Sequence, residues 1–266
     1  MPINRKDLKR TAREAMRQAK PAPYLVSLVF LAVVMLLGVL GMSLDGTLGA
    51  MRAMMEQAMA GDPVQYVAPV ARGGFFGPVL TFALELMSAV VSVGFILYSV
   101  RVWRRMKASV GNLLDGFSFF LRAVVIQILP TILVSMWGMV YMVPVTGLII
   151  MTNQTWWTFA GLPLMIPAIR AIYAYRLSAY IMLDRPDLGC WQCVLASKRM
   201  MQGHKWEMFK LELSFLGWAL LSAVIPIGGI FLLVWVSVYQ QVTFAGYYDA
   251  VAEIRPAEDI PPAPPV

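Results

Sequence analysis

Residues 24–42, YLVSLVFLAVVMLLGVLGM, carry no charged side chain, and the stretch from Pro78 to Val100 carries only Glu85. Roughly 20 apolar residues are what an α-helix needs to cross the hydrocarbon of a bilayer. Within lipid every backbone N–H and C=O must find a partner inside the segment, so such runs fold as helices. Further runs occupy 123–147, 157–183, 211–225 and 227–247. Together they predict an all-α, polytopic transmembrane bundle of about six spans. Composition agrees: 59% of the 266 residues are hydrophobic and 14% charged, where a soluble domain holds about 25% charged residues. Too few charges remain to coat a water-facing surface.

Three parts follow along the chain: a basic amphipathic helix at 1–23, a single transmembrane domain at 24–248, and a proline-rich tail at 249–266 whose composition predicts disorder. The first apolar run lacks a small-residue cleavage site and reads as a retained anchor. Pro130, Pro144, Pro163 and Pro167 fall inside or near spans, where they predict kinks. The run 211–247 is short for two spans, and Pro226-Ile-Gly-Gly229 sits where a hairpin turn belongs.

The formal charge of +7 is distributed for topology. Segment 1–23 holds seven Lys or Arg, 101–122 five and 184–210 five, against two in 43–77. This bias predicts a cytoplasmic N-terminus. It gives no support to nucleic-acid binding, because the cations flank apolar runs instead of forming one stripe. Each basic segment (4–20, 103–121, 187–210) precedes a pair of spans, a pattern that suggests a threefold repeat of surface helix plus hairpin.

Residues 4–20 place Leu8, Ala12, Ala15, Met16 and Ala19 at helical spacing, with Asn4 as N-cap and Asp7 in the first turn. The opposite face presents Lys9, Arg10, Arg13 and Arg17, the expected contacts to anionic lipid of the inner leaflet.

Chemical candidates are few. Arg170 lies about 13 residues into the fourth run and Glu85 about seven into the second. A charge near the bilayer centre costs roughly 3 kcal/mol unless paired, so a Glu85–Arg170 pair is expected if the side chains reach across about 9 Å of depth. Such a pair reads either as a polar site for passage or as a structural ion pair. Arg176, Asp184, His204, Lys205 and Glu212 cluster by sequence around the inner surface, most simply as interfacial polar groups. One histidine with sparse carboxylates makes no metal site. Cys190-Trp-Gln-Cys193 lacks the strand–helix context of a redox CxxC and has no second pair to hold a metal. No phosphate-binding loop or nucleophile elbow occurs, so neither a catalytic residue nor a cofactor is expected.

An ordered set of residues carries a family resemblance. It comprises Ile166-Pro167, Tyr173-Ala-Tyr175, Ala179-Tyr180-Ile181, Asp184-Arg185-Pro186, Ser197, Met200-Met201, Gly203-His204-Lys205, Phe209, Leu211, Leu213-Ser-Phe-Leu-Gly-Trp218, Trp235, Tyr239, Ala245 and Tyr247-Tyr248. Leu8-Lys9 and Ala12-Arg13 add to it at the N-terminus. The chain resembles the uncharacterised bacterial integral-membrane family called domain of unknown function 975. It departs in having Val238 where a proline often precedes the tyrosine, and in a rearranged glycine turn at 226–229. The resemblance implies six spans in a bacterial cell membrane and no reaction.

Two functional expectations follow. The first is a non-enzymatic scaffold that binds anionic lipid, a membrane-protein partner or a second copy of itself. The second is a small transporter or accessory permease subunit with Glu85 and Arg170 in its pathway.

Overall fold

The computed structural model describes residues 4–61, 65–71, 74, 76–154, 156–224 and 228–254, and contains no strand among them. Its elements are α1 (Arg5–Gln18), α2 (Pro23–Leu44), α3 (Thr47–Ala60), α4 (Phe76–Trp103), α5 (Asn112–Asp115), α6 (Phe120–Thr152), α7 (Trp157–Ala160), α8 (Ile166–Tyr175), α9 (Ser178–Asp184), α10 (Cys190–Met200), α11 (Lys205–Val224) and α12 (Gly228–Ile254). Three stretches are long and apolar enough to cross a membrane: Pro23–Leu44, Phe76–Trp103 and Asn112–Thr152.

α1 begins where Asn4 accepts a hydrogen bond from the Lys6 amide at 3.1 Å. It turns Leu8, Ala12 and Ala15 inward, onto α12 and α4. The helix expected to rest its apolar face on lipid therefore rests that face on protein. Burying apolar area against a preformed groove satisfies the same driving force.

α2 and α4 form an antiparallel pair, with Phe30 and Phe95 stacked at 4.2 Å. Ser27 ties α2 to α12, its hydroxyl donating to the Val234 carbonyl at 2.9 Å. The segment after α4 is less of a surface element than its polarity suggests. Gly94 and Gly116 have no Cβ, and one built at Gly94 would lie 2.3 Å from the Leu113 carbonyl. That close approach seats α5 against α4, with Asn112 and Leu113 buried.

The region read as one span over 157–183 is broken. A 3-10 turn at Leu162–Met165 precedes α8, and the helix stops again between Tyr175 and Ser178. Fully buried Ser197 of α10 bridges this second break, donating to the Ala174 carbonyl at 2.8 Å and accepting from the Leu177 amide at 3.1 Å. α9 consequently belongs to a layer with α10 and the end of α4. At the far end of the chain α12 runs on to Ile254, with Tyr248 and Val251 buried. Helix thus replaces the disorder expected from 249, because apolar side chains in register continue to find the core. Residues 225–227, in the expected hairpin turn, and 255–266, in the expected tail, lie outside the described residues.

The large fully buried side chains, among them Tyr98, Phe95, Leu177, Ile181, Met208, Tyr239, Phe244 and Tyr247, gather at one end of the bundle. It is also the end of Arg104, Asp184, His204 and Asp249, and is here called the basic end. At the other end α2, α6 and α8 leave Leu36, Met136, Met151 and Ile166 uncovered, as a surface facing hydrocarbon would be.

Candidate functional site: a polar cleft between helices

The helices that cross near the core do not close on one another along their whole length. A cavity of about 610 Å³ lies between α2, α4, α6, α8, α9 and α12. A second, of about 510 Å³, lies between α2, α4 and α6. Ser92, Gln127 and Thr131 line both, so the two form one cleft.

The lining follows from helical spacing. On α4, Thr81, Glu85, Ser88 and Ser92 fall at i, i+4, i+7 and i+11, and on α6, Gln127, Thr131 and Ser135 recur every four residues. Each set makes one stripe. The hydroxyls give their protons back to their own helices: Ser92 to the Ser88 carbonyl at 2.8 Å, Thr131 to Gln127 at 2.8 Å, Ser135 to Thr131 at 2.8 Å. What they turn to the cleft is acceptor lone pairs. Glu85 and Asp45 add carboxylates to the second cavity, and Glu85 has no ion pair among the described residues. The α2–α4–α6 part of the cleft, with its two carboxylates and acceptor hydroxyls, is therefore suited to a group that donates hydrogen bonds or carries positive charge, whereas Arg176 places a guanidinium on the wall of the first cavity.

Toward the basic end the cleft is closed by polar contacts. Arg176 pairs with Glu212 at 3.2 Å, and Tyr173 donates to the other oxygen of the same carboxylate at 2.7 Å. Tyr180 donates to Gln241 at 3.1 Å. Beyond these, Arg104 holds two aspartates at once: Asp184 at 2.6 and 3.2 Å and Asp249 at 2.7 and 3.2 Å. Tyr248 donates a third hydrogen bond to Asp184 at 3.0 Å. The hydrogen bonds from Arg104 hold the Asp184 carboxyl below its usual value, against the opposing effect of burial. This clasp ties α4, α9 and α12 together.

Glu85 and Arg170 do not meet. Glu85 lies in the α2–α4–α6 cleft, whereas Arg170 lies beside Gly203 and Lys205. The cause is the break in the fourth run: α8 packs on α6, α10 and α11, which brings Arg170 to the α10–α11 connection and away from the bundle centre. The expected inner-surface cluster separates likewise. Arg176 and Glu212 pair, Asp184 joins the Arg104 clasp, and Lys205 faces Arg170. His204 lies 2.9 Å from Glu207. Among the residues expected to touch lipid, Lys9 sits 4.1 Å over the Phe215 ring, and Arg13 donates to the Tyr239 hydroxyl at 3.1 Å. Arg10 is highly exposed beside Asp7 and Glu14, and Arg17 is exposed. Burial, then Arg13 and Arg5, hold the Lys9 ammonium below its usual value. In the CxxC, Cys193 is buried and its thiol is pushed up to about 11 by desolvation, which keeps it protonated near neutrality.

The family model for a protein of unknown function, DUF975, matches residues 1–255. The chain belongs to DUF975. No curated protein and no solved structure matches it. For a DUF975 chain the site must accordingly be read from its own geometry. Sequence reasoning missed Arg104, Asp249 and the Ser/Thr stripe. The stripe was visible as a four-residue rhythm on α4 and α6, whereas the two partners of Asp184, Arg104 and Tyr248, lie 80 and 64 positions away and carry no local signal.

Proposed function

We propose that this DUF975 protein is a multi-pass protein of the bacterial cell membrane, with its basic end in the cytoplasm, that binds a small solute or amphiphile in the interhelical cleft. The reading is that of a small transporter or accessory permease subunit, without enzymatic chemistry. One observation carries it: the two cavities joined through Ser92, Gln127 and Thr131. Pockets lined mostly by apolar walls with a few convergent polar groups are the ordinary form of small-molecule sites. In a membrane domain, polar groups aimed at an interior cleft mark ligand or ion pathways. Glu85 stands toward one end of the cleft and the Arg176–Glu212 pair toward the other. The preference for a donor-bearing ligand, such as an amine, follows from the acceptor lining. Orientation rests on the 17 Lys and Arg of the three basic segments against two in 43–77.

The scaffold reading is weaker, because the apolar face of α1 is used within the protein. Its exposed cations, Arg10 and Arg17, still suit anionic inner-leaflet lipid, and contact with a second copy or another membrane protein is compatible with the uncovered apolar faces.

The test is a thermal-stabilisation screen of the purified protein against small amines and small carboxylic acids. Amines are expected to raise the melting temperature of the wild type, and Glu85→Gln with Gln127→Leu to abolish the shift. Stabilisation by acids alone would overturn the reading.

A further inference from the structure

A separate groove of about 600 Å³ opens on the outer face of α8 where α11 begins, and Ile166, Arg170, Tyr173, Lys205, Trp206 and Phe209 form its walls. Two cations share it. Neither Arg170 nor Lys205 has a carboxylate partner among the described residues, because Glu207 is engaged with His204 and Glu212 with Arg176 and Tyr173. Burial first, then Arg170 and Lys198, hold the Lys205 ammonium below its usual value. Both cations line the one groove, and an anion held there is attracted by both. α11 also starts at Lys205, so its amino end adds positive potential.

The groove has an apolar side as well. Trp206 is 64% exposed and stacks on Phe209 at 4.9 Å, the position of an aromatic anchor at a membrane–water boundary. Away from the cations, Ile166 and Ile169 of α8 and Leu213 and Leu216 of α11 are all exposed. Two positive charges with an aromatic shelf and an apolar slope beside them match one kind of molecule in charge and in shape. We propose that this groove is a binding site for an anionic phospholipid, with the phosphate between Arg170 and Lys205 and an acyl chain along the exposed faces of α8 and α11. The site is distinct from the cleft and depends only on the basic end lying at a membrane surface.

The test uses the full-length protein in mild detergent, titrated with phosphatidylglycerol or phosphatidylcholine of the same acyl chains and read by native mass spectrometry. The wild type is expected to retain one phosphatidylglycerol with at least tenfold preference. Arg170→Gln/Lys205→Gln is expected to lose that preference while keeping its melting temperature, and Arg170→Lys to keep most of it. Should the double variant prove unstable, brominated phosphatidylglycerol supplies a second reading, with tryptophan quenching in the wild type expected to fall in Trp206→Phe. Equal retention of both lipids by the wild type would overturn the proposal, as would undiminished preference in the folded double variant or quenching unchanged in Trp206→Phe. Displacement of the lipid by millimolar glycerol 3-phosphate would also overturn it, since a soluble phosphate would then suffice.

Discussion

Among the described residues, one buried side-chain polar atom goes unmatched. Tyr98 is fully buried, and its hydroxyl has no partner among the described residues. Since a buried unsatisfied hydroxyl costs about 1–3 kcal/mol, Tyr98→Phe is expected to stabilise the protein by about 1 kcal/mol, seen as a higher melting temperature in detergent. Arg104 is the opposite case. Arg104→Gln removes four hydrogen bonds and leaves two neighbouring carboxylates without their cation. The side chains are about a third exposed, so screening moderates the loss to about 1–3 kcal/mol. The pH dependence has a definite sign. Asp184 is held below its usual value in the fold, so its contribution is complete at neutral pH and is lost as pH falls from about 4 through the folded value. Unfolding followed against pH should show this acid sensitivity reduced in Asp184→Asn.

At the scale of elements, the boundaries that sequence reasoning placed well are those set by local chemistry. Asn4 caps α1 as its side chain dictates, and the first two apolar runs became Pro23–Leu44 and Phe76–Trp103 with only small extensions. The breaks within the fourth run were not legible, because hydropathy cannot register a break that a distant hydroxyl repairs. Arg176 reads as a charge at the inner surface and Leu177 as apolar as its neighbours, yet the chain turns there and Ser197 takes up the freed backbone groups. Ser197→Ala should therefore cost about 1–3 kcal/mol and speed hydrogen exchange at the Leu177 amide selectively. Unchanged exchange at Leu177 would mean that the break is held by packing alone. The same limit hid the fate of Arg170: its depth was counted along a helix assumed continuous. The α1 helix was recognised by its pattern, but an amphipathic pattern does not say whether lipid or protein covers the apolar face.

Across the whole molecule, the fold is packed at its basic end and open along the Ser/Thr stripe. Composition alone made the membrane class legible, since a chain with 14% charge has no other way to satisfy its surface. The cleft was not legible, because it depends on how α2, α4 and α6 are spaced rather than on any residue in them. The proposed function requires that the cleft admit water from within an apolar bundle. Substituted-cysteine labelling measures that most directly, in a protein lacking Cys190 and Cys193 and held in native membranes. Cysteines at Ser88, Ser92, Gln127 and Thr131 should react with a small charged thiol reagent, while cysteines at Leu36 and Met136 should not. Silence at all four stripe positions, or equal labelling at the two exposed apolar ones, would contradict a hydrated cleft and with it the proposed function.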